Sequence, residues 1–555
     1  GQVPVALQTA FARKVLSELP APNRAGGGPL GVGLNFERLA SYDTPDNKWN
    51  VKADQFWNEK LTSFFRYSWR EQNAFEPSPI PGPSGGNANG NVYVRNYAIA
   101  VGATFTITPT SLLEARFGYT RTEAGKNPVN YLEPHIEEAY GITGIDHDDR
   151  IGGGLNSQGV TGFTQFGRQN SNPQFQWPKV WNPRVNYSKL AGSHTLKAGF
   201  EYQAINTEIN DLAPVYGQSS YNGRFSAAPG LPSSLNPIAN LADFLVGAQS
   251  NYQKSNFAVL DYRQRMNFYY LQDDWKVNSR LTLNLGVRYE YATPQWEANN
   301  RLGNFDPVSA QLFFAKDGSI RDRSTIRPDR NNWGPRIGLA YSLNSKTVIR
   351  SAYGISYVHF NRMGGENILG FTGPFVFSVS RNQVAPAAAT GSALQPVCAS
   401  GQAFLTCFQR TQDGYPTGFN DPSLYNTRTT RVNYMPSDTP SPYVQNWHFT
   451  IQRELAAGFL LDVGYVGNRG VKQLILGDYN QARPNLAGQN TSLQSRRPFQ
   501  NYDFIQAAFA GGNTFYHGVQ VKLEKRYSNG LYLLNSYTFS KAIDNAAGHL
   551  ETYNG

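Results

Sequence analysis

The chain has 555 residues, a formal net charge of +10 and a mean hydropathy of −0.48. No run of about 18 apolar residues occurs, which excludes a membrane-crossing helix but not crossing strands, whose alternating side chains average out. The 50 Lys and Arg are scattered without a basic run, so the charge does not suggest nucleic acid; it suits anionic lipopolysaccharide or acidic solutes. Aromatics at 13% with 53 Gly and only 3 Met fit strands, aromatic girdles and polar loops.

Residues 1–46 are expected to form a loop segment with one short amphipathic helix. Leu7, Phe11, Val15 and Leu19 recur at helical spacing before Pro20 ends the pattern. The helix belongs inside a loop, or alternatively on a membrane surface.

From residue 47 to 555 the chain alternates short polar turns with long connections. Val51–Trp57 turns at Asn58-Glu59-Lys60 into Leu61–Trp69, and Tyr97–Ile107 turns at 108–111 into Leu113–Tyr119. Trp181–Leu190 pairs with Thr195–Tyr202, Phe268–Val277 with Leu281–Tyr291, and Ile337–Leu343 with Val348–Tyr357. Trp447–Leu455 then pairs with Phe459–Val466, and Val519–Tyr527 with Leu531–Phe539. These are hairpins, about fourteen strands in all. Between them run connections near 70–92, 121–178, 204–262, 292–332, 361–442 and 470–514, rich in Gly, Pro, Asn and Ser. Unstructured loops of that length are rare in compact soluble domains. Tight turns alternating with long loops, on strands near the roughly 9–11 residues of a tilted crossing, predict an all-β fold: a large antiparallel transmembrane barrel with short periplasmic turns and long extracellular loops.

The faces agree. In Leu281–Tyr291, Leu281, Leu283, Leu285, Val287, Tyr289 and Tyr291 share one face, and Thr282, Asn284, Gly286, Arg288 and Glu290 the other. Leu196, Ala198, Phe200 and Tyr202 oppose Thr195, Lys197, Gly199 and Glu201 in the same way. A charge on the lipid face near the midplane costs about 2–4 kcal/mol, so the charged phase belongs to the lumen. Arg288, Glu290, Arg350, Lys522 and Glu524 are the lumen-facing candidates, lining a solute path or bracing the wall by cross-strand ion pairing. Asp273 breaks the rule by sharing a phase with Leu271 and Trp275, which places it at the rim or at a bulge.

Other clusters promise less. Asp146-His147-Asp148-Asp149, and His135 with Glu137 and Glu138, concentrate ligand-type side chains, but the spacing fits no standard calcium or zinc motif, and they are taken as solvated loops with no metal assigned. Cys398 and Cys407 are candidates for a local loop disulfide. Phe371, Phe375 and Phe377 lie where a loop would gate the mouth or pack over it. No phosphate loop or nucleophile elbow appears, so no catalytic residue, enzyme activity or cofactor is expected.

Asn267–Tyr291 with Asn304-Phe305-Asp306-Pro307, Trp333–Tyr341, Val348–Tyr357, Ser441–Arg453, Leu461–Gly470 and Tyr516–Asp544, with Lys52–Trp69 and Leu16–Asn23 fitting the same pattern, follow one another along most of the chain. In chain order they resemble the barrel of TonB-dependent outer-membrane receptors, specifically the Oar-like group that carries a carboxypeptidase-regulatory-like domain. The resemblance implies a barrel of about 22 strands, a plug domain inside it, and energy from the TonB complex engaged through an N-terminal part. No TonB box, plug or closing strand is recognised within 1–555, so the chain is expected to be an internal piece of a longer protein. Uptake of a small solute across the outer membrane of a Gram-negative bacterium is the expected function. A passive porin or adhesion-type barrel, and a secreted soluble β-rich glycan-binding protein, are the alternatives. The soluble alternative requires Leu283, Leu285 and Phe200 to pack in a dry core.

Overall fold

The computed structural model describes residues 3–545 except 28–30, 32, 229, 231–235, 360–367, 377, 384–407, 422–425, 429, 431, 487–490 and 529. Its backbone is a single 16-stranded sheet with two smaller sheets at one end. Two of the sixteen strands, Trp296–Glu297 and Val432–Tyr434, are short segments carried by loops. The other fourteen are β1 (Asp46–Asn58), β2 (Leu61–Glu76), β3 (Gly90–Thr108), β4 (Ser111–Asn127), β5 (Gln174–Ala191), β6 (His194–Asn210), β7 (Leu260–Lys276), β8 (Leu281–Ala292), β9 (Trp333–Asn344), β10 (Thr347–Tyr357), β11 (Tyr443–Glu454), β12 (Phe459–Asp478), β13 (Ile505–Ser528) and β14 (Leu531–Asp544). Each pairs antiparallel with its sequence neighbour.

All seven expected hairpins form, and the turn chemistry explains why. Asn58 Oδ1 accepts from the backbone N–H of Lys60 and Leu61, and Asn278 Oδ1 does the same for Arg280 and Leu281, local bonds that favour a turn over continued strand. Gly192 and Gly530 supply positive φ at 60° and 75°. At the other ends the strands run further than the alternation suggests. β2 extends to Glu76, β6 to Asn210 and β12 to Asp478, and β13 begins at Ile505. Those extensions pack against loop residues, so their polar–apolar alternation is lost while the ladder continues.

One face of the sheet is an apolar band in continuous register. Val101 lies opposite Phe117, Val185 opposite Phe200, Phe200 opposite Tyr269, Tyr269 opposite Tyr289, and Tyr289 opposite Trp333. Further round, Tyr353 opposes Trp447, Phe449 opposes Tyr465, Tyr465 opposes Val519, and Val519 opposes Phe539. Many of these side chains are exposed, Leu285 and Val287 at 38% each and Leu271 at 57%. Leu283 and Phe200 are half-buried. The dry packing that the soluble alternative requires of Leu283, Leu285 and Phe200 is therefore not there, and the band suits lipid.

Asp273 falls within this band, where the pairing of β7 with β6 and β8 passes through it without a shift. No bulge is involved. It lies three residues from the end of β7 and bonds His194 at 2.7 Å, the rim position.

The buried core lies in the loops. A four-stranded sheet (Ser157–Val160, Gln218–Tyr221, Asn251–Ser255, Ser378–Asn382) and the helices α1 (Ala10–Ser17), α2 (Ile136–Tyr140) and α3 (Asn236–Leu245) meet there. Phe11, Ile136, Phe166, Tyr221, Phe244 and Tyr252 are among its buried side chains. Helix α1 is shorter than the Leu7–Leu19 pattern because Val5–Leu7 forms a separate 3-10 turn and Thr9 caps the helix by accepting from the Ala12 N–H. Leu7 is thus exposed, while Phe11 packs edge-on to Phe244 at 6.0 Å. Its apolar side is covered by protein, not by a membrane surface.

Candidate solute-facing site

The face opposite the apolar band is polar, and its loop end carries a connected network. On β8, Arg288 Nε donates to Glu290 Oε1 at 2.7 Å, and the guanidinium lies 4.7 Å from the Phe268 ring on β7. Glu290 Oε2 meets His359 Nε2 at 2.6 Å, and Arg288 approaches Glu201 of β6 at 3.9 Å. Asn182 Nδ2 donates to Glu201 at 2.9 Å. Glu290 is 7% exposed, so its charge is held by these donors rather than by water. Beside His359 a small cavity of about 80 Å3 is lined by Gln264, Thr293, Asp329 and Met435.

Deeper on the same face, Gln272, Asn284, Arg336, Asn446 and His448 surround a hollow of about 600 Å3. Its floor includes Gly286, Gly338 and Gly354. A Cβ on Gly338 would stand 3.5 Å from Asn284, an ordinary contact. Glycine there leaves space without being demanded by strand packing.

The expected residues fall into three places. Arg288 and Glu290 join the network at the loop end. Arg350, exposed, lies on the polar face opposite Ala340 and Thr450, nearer the turns. Lys522 and Glu524 pair with each other at 2.8 Å far round the sheet on β13. The shorter ion pairs of these residues run along one strand, Arg288–Glu290 and Lys522–Glu524, since residues two apart share a face, while Arg288 also reaches across strands to Glu201. His359 was not foreseen, because a single histidine just past a strand carries no motif. Phe375 packs edge-on to Phe314 at 5.6 Å and Phe371 lies against the loop core. Phe377, Cys398 and Cys407 lie outside the described residues.

The loop cap holds several charges out of water. Arg168 is buried with its guanidinium 3.8 Å from the Tyr216 ring centroid, and burial lowers its pKa to about 10. Burial also lowers Lys254, whose Nζ donates to the Gly144 carbonyl at 2.8 Å and approaches Asp146 at 3.4 Å. His135 is held below the usual imidazole range, first by burial and then by the neighbouring His147.

The model of one protein family, described as outer membrane beta barrel domain, matches residues 1–555. The chain belongs to that family. Among solved structures it is similar to the outer membrane transporter YddB from Escherichia coli, at 10% identity and a TM-score of 0.51 over 95% of this chain and 52% of that one. It also matches a mutant of the ferric enterobactin receptor PfeA from Pseudomonas aeruginosa, at 11% identity and a TM-score of 0.47 over 94% of this chain and 54% of that one. No curated protein sequence matches significantly. The chain therefore spans about half the length of the solved proteins it resembles. Its fold is that of an outer-membrane barrel wall, and neither comparison separates out the Oar-like group.

Proposed function

We propose that the chain is the wall and loop mouth of a TonB-dependent outer-membrane transporter that takes up a small solute and performs no covalent chemistry. The observation that carries this is the two-sided sheet: an exposed apolar band in unbroken register on one face, and Arg288, Glu290, Arg336 and His448 on the other. Solute is captured at the loop cap and passes along the polar face, where the Glu201–Arg288–Glu290–His359 network and the glycine-floored hollow offer charge and space. A passive pore needs no loop cap with its own hydrophobic core, and this favours the receptor reading over the porin one. β1 and β14 each pair on one side only among the described residues. Unpaired backbone is not tolerated in lipid, so both edges are paired in the closed wall; a total of about 22 strands is what the family resemblance implies. The plug, the TonB contact and the Oar-like grouping rest on the sequence resemblance, and lipopolysaccharide is a partner by charge alone.

The test is solute uptake by cells expressing the full-length protein, with and without TonB. Uptake that depends on TonB supports the proposal. Equal flux without TonB means a passive pore.

A further inference from the structure

We infer that the loop after β4 holds a binding site for a divalent transition-metal ion of the zinc and copper class, built by His135, Glu137 and His147. One ring nitrogen of each histidine and a carboxylate oxygen of Glu137 all lie within 4.8 Å of one another. His147 Nε2 is 3.3 Å from Glu137 Oε2, and the two imidazoles stack with centroids 3.6 Å apart. Zinc takes such ligands at roughly 2.0–2.2 Å, so a small inward movement brings all three onto one ion. The exposed His147 ring turns out of its stack to point its nitrogen at the ion, a rotation its 58% exposure leaves open.

The donors come from two chain segments that the loop core fixes. Ile136 is fully buried and its N–H donates to the Tyr216 hydroxyl at 2.9 Å, while Ile142 and Ile145 are buried ahead of His147. A simple ion pair accounts for His147 and Glu137. It does not involve His135, whose Nδ1 accepts a long bond of 3.4 Å from the Glu137 N–H while its Nε2 is buried with no well-formed hydrogen bond and its ring is edge-on to Tyr216. Two imidazoles in contact repel when both are protonated, whereas neutral they share a cation well. Two of the acidic neighbours are engaged elsewhere, Asp146 with Lys254 and Asp148 with Arg150. Two nitrogens and one oxygen suit zinc, copper or nickel; calcium and magnesium prefer oxygen-only shells. Three protein ligands leave positions open for water or for a donor atom of an incoming molecule. The site stands on its own geometry and does not depend on the transporter reading.

The experiment is calorimetric titration of Zn2+ into the full-length protein, folded in detergent and stripped with a chelator, alongside His147→Ala and Glu137→Gln. Both side chains are largely exposed, and the heat-dependent gel shift reports that each variant is folded. One saturable equivalent is expected, weakened at least about tenfold in each variant, with no response to Ca2+ or Mg2+. Absence of saturable Zn2+ binding overturns the inference. So does binding of equal affinity in both variants, as thiolate capture by Cys398 and Cys407 would give.

Discussion

Glu297 fastens the loop after β8 to the start of β7, and its removal has a calculable effect. The side chain is fully buried and accepts five hydrogen bonds. Three come from the backbone N–H groups of Asp261, Asn299 and Arg301 at 3.2, 2.8 and 3.0 Å, and two from Arg301 Nε and Nη2 at 3.1 and 2.6 Å. In Glu297→Ala these donors lose their acceptor. An unsatisfied buried group costs about 1–3 kcal/mol, and water reaching the Arg301 side chain, 27% exposed, recovers part of the loss. The net local loss is about 3–5 kcal/mol, in the range for breaking a buried ion pair. At about 1.4 kcal/mol per factor of ten, amide exchange across 259–306 accelerates roughly 100- to 3,000-fold where opening is local. Hydrogen-exchange mass spectrometry of the folded protein reads this directly, with the turn-end peptides of β8 and β9 as internal reference. A change below about tenfold would refute the reasoning.

The same residue sets an acid limit on the mouth. Burial pushes the Glu297 carboxyl up, but the Arg301 side chain and the backbone donors together hold it below its ordinary 4.5. A lowered folded-state value means that its stabilisation is complete above 4.5 and is lost as pH falls through the folded value; exchange in 259–306 should rise below about pH 4.5, a rise absent from Glu297→Gln. Val287→Arg, at mid-strand on the apolar band, should destabilise the folded barrel by about 2–4 kcal/mol in bilayer unfolding titrations, whereas Asn284→Arg on the opposite face should cost under about 1 kcal/mol. Arg168→Met removes the bond from Nη1 to the Ile151 carbonyl and the contact with Tyr216, and should loosen 128–173 by about 2–4 kcal/mol in proteolysis-detected local unfolding. Gly338→Leu projects a side chain into the hollow; it should leave the heat-dependent gel shift intact while lowering solute uptake several-fold.

How much of this was legible in the sequence follows from the range of the interactions. A hairpin is specified by residues a few positions apart, such as Asn278 and Leu281, and by alternation with period two, so all seven turns and the faces of Leu281–Tyr291 can be read directly. The mouth is specified by contacts across the chain. His359 meets Glu290 across 69 residues, Ile136 meets Tyr216 across 80, and Lys254 meets Asp146 across 108. No local pattern encodes such pairings. His135 and His147 show the same limit: each lies in a cluster of ligand-type side chains whose spacing fits no motif, and only the fold of the loop brings the two together. Asp273 lay between the two cases, its phase evident from sequence and its rim position only from His194.

The account rests most directly on the apolar band facing lipid. In a background lacking Cys398 and Cys407, single cysteines at Leu271, Leu285, Val287, Ile337 and Tyr353 would carry nitroxide labels, with Asn284, Gly286 and Gly338 as the opposite face. Power-saturation resonance of the full-length protein in bilayers measures collisions with oxygen, which enters lipid, and with a polar nickel chelate, which does not. The account predicts high oxygen and low nickel contact at the first set, and a reversal at the second. Equal nickel contact on both faces, or burial of the first set from both reagents, would contradict it.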